Sequence, residues 1–172
     1  MTDEQSGLMK RASYIDLLMA ETRRAIQQST PLTVVLMQFG KSSVLVRENG
    51  EKAVENAMQQ IGQIIAANIR QNDLAFSYEM TTVAIVLGET AEKDALMAVE
   101  KLRKLVGEVC LSDKALAFSA GVAEAVVRQQ FDPVDIVTEV INRAELALDM
   151  AIAQGAGRVV NLTAQSASAA VA

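Results

Sequence analysis

Residues 70–87 read Arg70-Gln71-Asn72-Asp73-Leu74-Ala75-Phe76-Ser77-Tyr78-Glu79-Met80-Thr81-Thr82-Val83-Ala84-Ile85-Val86-Leu87. An apolar run, a polar turn and a second run rich in β-branched residues predict a β-hairpin, with strands near 73–78 and 82–87. The flanking segments follow a different period. Upstream, Val54, Met58, Ile61, Ile65 and Ile69 recur at three- and four-residue intervals, which predicts a helix over 51–69. Downstream, Gly88-Glu89-Thr90 ends the hairpin and offers Thr90 as N-cap for a helix over 91–109, with Ala95, Val99, Leu102 and Val106 on its apolar face. A hairpin between two amphipathic helices is a piece of a layered α/β domain.

The rest of the chain extends this pattern. Residues 13–29 form a helix with Ser13 as cap, an apolar stripe of Ile15, Leu18, Met19 and Ile26, and Arg23 and Arg24 among its polar positions. Pro31 closes it, and Leu32 to Phe39 is a near-continuous apolar run, as a central strand buried on both faces requires. Residues 40–50 look irregular. Ala115 to Val127 reads as a strand whose Gly121 marks a bulge or a close backbone approach. Asp132-Pro133 starts a helix running to about Gln154, Gly155 and Gly157 stop it, and residues 158–162 supply a last short strand. The expected fold is an α/β sandwich with a mixed central sheet of about five strands and helices on both faces. It occupies residues 13–163, between a flexible N-terminus (1–12) and a disordered Ala/Ser-rich tail (164–172).

Composition narrows the function. A chain of 172 residues, 51% hydrophobic and 22% charged, has the makeup of one folded domain. No run approaches the roughly 18 apolar residues of a membrane span, and the polar start resembles no secretory signal. The single cysteine, Cys110, excludes an internal disulfide and suits a cytoplasmic location; at the end of a predicted helix it reads as a buried small hydrophobe. Histidine is absent, which removes the commonest general base and zinc ligand. A net charge of −5 and 3% aromatics argue against a nucleic-acid partner. Any anionic ligand needs a local basic cluster.

Four places, in this order and at these gaps, resemble the GGDEF family of diguanylate cyclases across residues 13–162. They are the Leu32–Gln38 strand, Arg70-x-x-Asp73 with its hairpin, Ser119-Ala120-Gly121-Val122-Ala123, and Ala144-Glu145-Leu146-Ala147-Leu148 leading to Gly155 and Arg158. The family's Gly-Gly-Asp/Glu-Glu-Phe turn is matched here by Glu79, Met80, Thr81, Thr82 and Val83. The resemblance therefore implies a nucleotide-cyclase-like fold without the catalytic residues. Gln38 and Gly40 stand where active members carry aspartates, and Thr81 replaces the metal-binding acid of the turn. Val46 stands at the guanine-reading asparagine. Glu55 keeps a carboxylate at a guanine-reading aspartate, although an exposed helical glutamate would look the same. Ile152 and Ala156 match the phosphate-gripping lysine and arginine. A neutral amide, a hydroxyl and an apolar pair hold neither a divalent cation nor a triphosphate, so no cyclase activity, catalytic residue, metal or cofactor is expected.

Arg70-x-x-Asp73 matches the family's inhibitory site for cyclic di-GMP. The resemblance implies that Arg70 grips phosphate and guanine, that Asp73 accepts from the base, and that Lys101 adds a second basic contact. The alternative is an arginine placed by the preceding helix dipole and a solvated aspartate at a strand start. Both stay open on the residues, and Lys101 favours binding.

Three functions follow. The first is a bacterial signalling receptor for cyclic di-GMP that acts on an unidentified protein partner. The second is a nucleotide-independent interaction module presenting an exposed Met80-Thr81-Thr82 turn. The third and weakest is an enzyme of another chemistry. The first helix offers a surface for a homodimer, and packing on its own sheet explains the same stripe.

Overall fold

The computed structural model describes residues 6–164; residues 1–5 and positions 165–172 of the expected tail lie outside the described residues. The central strand β2 (Leu32–Gln38) runs antiparallel to β4 (Thr82–Gly88) on one side and to β7 (Ser119–Glu124) on the other. β3 (Leu74–Glu79) pairs antiparallel with β4, and β8 (Val159–Asn161) lies parallel to β7. The sheet is mixed, as expected, and has six strands, not about five. The sixth is β1 (Met9–Lys10), parallel to β3 with Met9 opposite Phe76. It comes from the stretch expected to be flexible: Leu8 is 3% exposed, and the segment crosses a helix at Gly62, where a Cβ would lie 2.7 Å from that of Ser6. Two residues are too few for a period-2 signal.

Helices cover both faces because β2 alternates strictly. Val35 and Met37 face α3 (Glu51–Asn68) and α4 (Glu92–Val106), in a cluster with Ile61, Ile65, Val99 and Leu102. Val34 and Leu36 face α1 (Tyr14–Gln28) and α5 (Pro133–Ala153), with Leu18, Val140 and Ala144. The residues buried on α1 are Tyr14, Leu18, Thr22 and Ala25, while Ile15 of the expected stripe is half exposed. Ser13 makes no capping bond, because a 3₁₀ turn at Arg11–Ser13 feeds straight into α1. Asp132 caps α5 as expected, its Oδ1 accepting from the Val134 amide at 2.8 Å. Gly121 is a close approach: a Cβ there would sit 2.3 Å from the Leu148 nitrogen and 2.5 Å from the Ala144 carbonyl oxygen of α5.

Three stretches differ from expectation. Residues 40–50 contain a helix, α2 (Ser42–Asn49), between Gly40 and Gly50, both at positive φ; its Leu45 and Val46 pack on the α3/α4 side. Only Ser119–Glu124 of the predicted 115–127 strand joins the main sheet. Lys114–Ala115 (β6) instead pairs with Cys110–Leu111 (β5) across a turn whose Ser112 and Asp113 both have positive φ. This corrects the reading of Cys110: α4 ends at Val106, strand alternation buries Val109 and Leu111, and the thiol faces outward.

Candidate functional site

Arg70 to Asp73 form a tight turn between α3 and β3, the Asp73 amide donating to the Arg70 carbonyl at 3.0 Å. The Asp73 carboxylate, only 3% exposed, folds back on it. Its Oδ2 accepts from the Arg70 amide and from Nε, each at 3.0 Å, and its Oδ1 accepts from Nη2 at 3.1 Å. This side-on fork is the strong geometry for arginine and carboxylate, and it holds the guanidinium above its ordinary pKa. Nη2 also donates to the Gly88 carbonyl at 2.7 Å and to Thr90 Oγ1. Asp73 is therefore not solvated; it is the residue that aims Arg70, whose side chain is 59% exposed.

Thr90, expected as the cap of α4, is part of this cluster. It donates to the Gly88 carbonyl at 2.8 Å, and α4 begins two residues later. The first amide of α4, at Glu92, is satisfied by Glu124 Oε1 of β7 at 2.7 Å. A cap supplied from a distant strand cannot be read from local sequence.

Arg70 and Asp73 are shared by two cavities. On the α4 side, one of about 240 Å³ is lined by Arg70, Asp73, Asp94 and Lys101 among apolar neighbours, so the three residues singled out in the sequence meet at one cleft. On the α1 side, one of about 280 Å³ brings in Glu21, Arg24, Gln28 and Glu89. Arg24 and Gln28 were missed as site residues because only the packing of α1 places them beside a turn some 45 positions away in the chain. Acids temper both cavities, Asp94 in the first and Glu21 and Glu89 in the second.

The far end of the sheet is arranged differently. Thr81 and Thr82 are each 2% exposed, so the hairpin tip presents only Glu79 and Met80, not the open three-residue turn expected. Thr81 Oγ1 donates to the Gly40 carbonyl at 2.7 Å, and the Phe39 amide donates to the Thr81 carbonyl at 2.8 Å. Gln38, opposite Thr82, adds a neutral amide. Gln38 and Thr81 bring no negative charge and the Thr81 hydroxyl is committed to a carbonyl, so these two positions do not fit a divalent cation. Among the described residues no group of three or more His, Cys, Asp or Glu could hold a metal, and no helix is long and apolar enough to cross a membrane. Glu55 lines a neighbouring cleft of about 350 Å³ with Met58, Gln59, Glu79 and Met80. Ile152, 41% exposed, and Ala156 present no charge.

An α/β sandwich of this strand order, with Arg-x-x-Asp leading into the central hairpin, defines a class, and comparison with known proteins gives its name. The chain belongs to the family described as diguanylate cyclase, GGDEF domain, which matches residues 1–158. The diguanylate cyclase DosC of Escherichia coli K12 is 26% identical over 126 residues, 70% of this chain and 27% of that enzyme. The chain thus spans about a quarter of the length of the curated relatives it matches. The FimX GGDEF domain of Pseudomonas aeruginosa superposes with a TM-score of 0.80 at 19% identity, covering 94% of this chain and 98% of that one. The GGDEF domain of DgcB from Caulobacter crescentus, in complex with c-di-GMP, superposes at 0.78 with 20% identity, covering 93% and 92%. SiaD of P. aeruginosa, in complex with its activator SiaC, superposes at 0.79 with 21% identity, covering 94% and 61%. At these identities the superpositions establish the fold.

Proposed function

We propose that this domain is a catalytically inactive GGDEF domain that serves as a cytoplasmic receptor for cyclic di-GMP and passes its occupancy to a protein partner. The observation that carries the reading is the convergence of Arg70 and Lys101 on one cleft, with the guanidinium aimed by a buried Asp73. Arg70 binds a phosphate through its outward edge, Lys101 adds a point charge, and Asp73 positions the arginine. The complex of DgcB with c-di-GMP supports the choice of ligand. Inactivity rests on the joint occupation of the reacting end by Gln38, Thr81, Ile152 and Ala156, none of which carries charge.

Calorimetry with cyclic di-GMP tests the receptor. Charge-assisted contacts contribute roughly 1.5–3 kcal/mol, so Arg70→Ala weakens binding by about one to two orders of magnitude. Glu55→Ala, in the other cleft, leaves it unchanged. Incubation with GTP and magnesium or manganese yields no product above a control without protein; clear turnover defeats the inactive assignment.

A second reading, a nucleotide-independent interaction module, is favoured by one feature. Arg70 already satisfies Asp73, Gly88 and Thr90, and Glu21, Glu89 and Asp94 stand around it. The complex of SiaD with its activator SiaC supports the idea of a protein partner on this fold. Absence of any heat with the wild type at high micromolar ligand selects this reading.

A further inference from the structure

Arg70 Nη2 has two protons and three acceptors: Asp73 Oδ1, the Gly88 carbonyl and Thr90 Oγ1. The side-on bond to Asp73 takes Nε and one Nη2 proton, so the second Nη2 proton is held by the turn at the end of β4. A phosphate gripped by two parallel hydrogen bonds at the end of the fork needs Nη1 and that same second proton. The turn is also the strained part of the site. Glu89 has φ of 52°, a left-handed conformation uncommon for a residue with a Cβ. It is held from both sides: Gly88 by Arg70, and Thr90 by its amide donating to the Pro31 carbonyl at 3.2 Å and its carbonyl accepting from Thr33 Oγ1 at 2.7 Å.

Resting on the receptor reading, we propose that Arg70 is a two-position latch, fastened to the Gly88–Thr90 turn when the site is empty and transferred to phosphate when it is filled. Ligand capture then releases the turn that leads directly into α4, and intramolecular closure competes with the ligand. The same arginine both recognises the dinucleotide and reports it to the α4 face.

The competition is measured by calorimetry with cyclic di-GMP on the wild type, Thr90→Val and Thr90→Ser. Removing the hydroxyl weakens the closed position, so Thr90→Val binds roughly threefold to tenfold tighter, while Thr90→Ser keeps the wild-type affinity. Hydrogen exchange on the wild type gives a readout that needs no variant to fold: the Thr90 amide exchanges faster with saturating cyclic di-GMP than without it. Binding by the wild type with unchanged Thr90 exchange and equal affinity in Thr90→Val overturns the latch and leaves the receptor standing. No binding by the wild type overturns the receptor, and the latch with it.

Discussion

Thr81 shows how one side chain reassigns a place in the fold. A threonine buried at a strand turn must satisfy its hydroxyl, and it does so on the Gly40 carbonyl, tying the hairpin to the end of β2. Beside it the Phe39 amide and Thr81 carbonyl make a second tie. The hairpin tip is thus tied to the end of β2 by two hydrogen bonds, at the position the family resemblance assigns to a metal-binding acid. Thr81→Val keeps the shape and strands the Gly40 acceptor, so it costs about 1–3 kcal/mol, and Thr81→Ser recovers most of that. Urea denaturation of the three proteins at one pH measures it. Equal midpoints for Thr81→Val and the wild type would show that the hydroxyl carries no stability.

At the scale of elements, the segment before α1 is an edge strand with a buried anchor. Leu8 inserts into the α3/α4-side cluster, and Met9–Lys10 hydrogen-bond to the outer edge of β3. Leu8→Ala therefore costs about 2–5 kcal/mol and frees β1, read as lower thermal stability and as faster exchange at Phe76 and Ser77. Loss of less than ~1 kcal/mol, with that exchange unchanged, would mean that the segment is only laid against the domain. This is also where the sequence was hardest to read. The long periodic elements were legible: β2 and both hairpin strands fall close to their predicted bounds, Ala95, Val99, Leu102 and Val106 form the buried face of α4, and Asp132-Pro133 starts α5. What failed was short or held from afar. A two-residue strand has no period, α2 depends on flanking glycines and neighbours, and the α4 cap comes from Glu124 on another strand. The site divides in the same way. Arg70 and Asp73 are three positions apart and could be paired by eye, whereas Arg24, Gly88 and Thr90 reach them only through packing.

Across the whole molecule, the α1/α5 layer is linked to the sheet by a small aromatic cluster that makes folding sensitive to alkali. Tyr14 stacks edge-on against Phe76 and Tyr78, with centroids 5.2 and 5.4 Å away. Tyr78 donates from its hydroxyl to Glu145 Oε1 of α5 at 2.5 Å, and the Arg11 guanidinium lies 4.2 Å from its ring centroid. Burial, then the Glu145 hydrogen bond, pushes the Tyr78 phenol up to about 12, and burial raises Tyr14 as well. Both groups are neutral when protonated. Between the ordinary value of 10.0 and their raised values the folded protein keeps protons that the unfolded chain has released. Their contribution is thus complete below pH 10 and is lost as pH rises through the raised values. The chain has two tyrosines and no tryptophan, so near-ultraviolet absorbance follows these two phenols without interference. The expected titration shows little tyrosinate near pH 10, then a rise toward pH 12 that coincides with loss of helix by circular dichroism. In Tyr78→Phe the remaining phenol ionises only with unfolding. A smooth tyrosinate transition centred near pH 10 in the folded protein would place both hydroxyls in water and dissolve the link between α5 and the central hairpin.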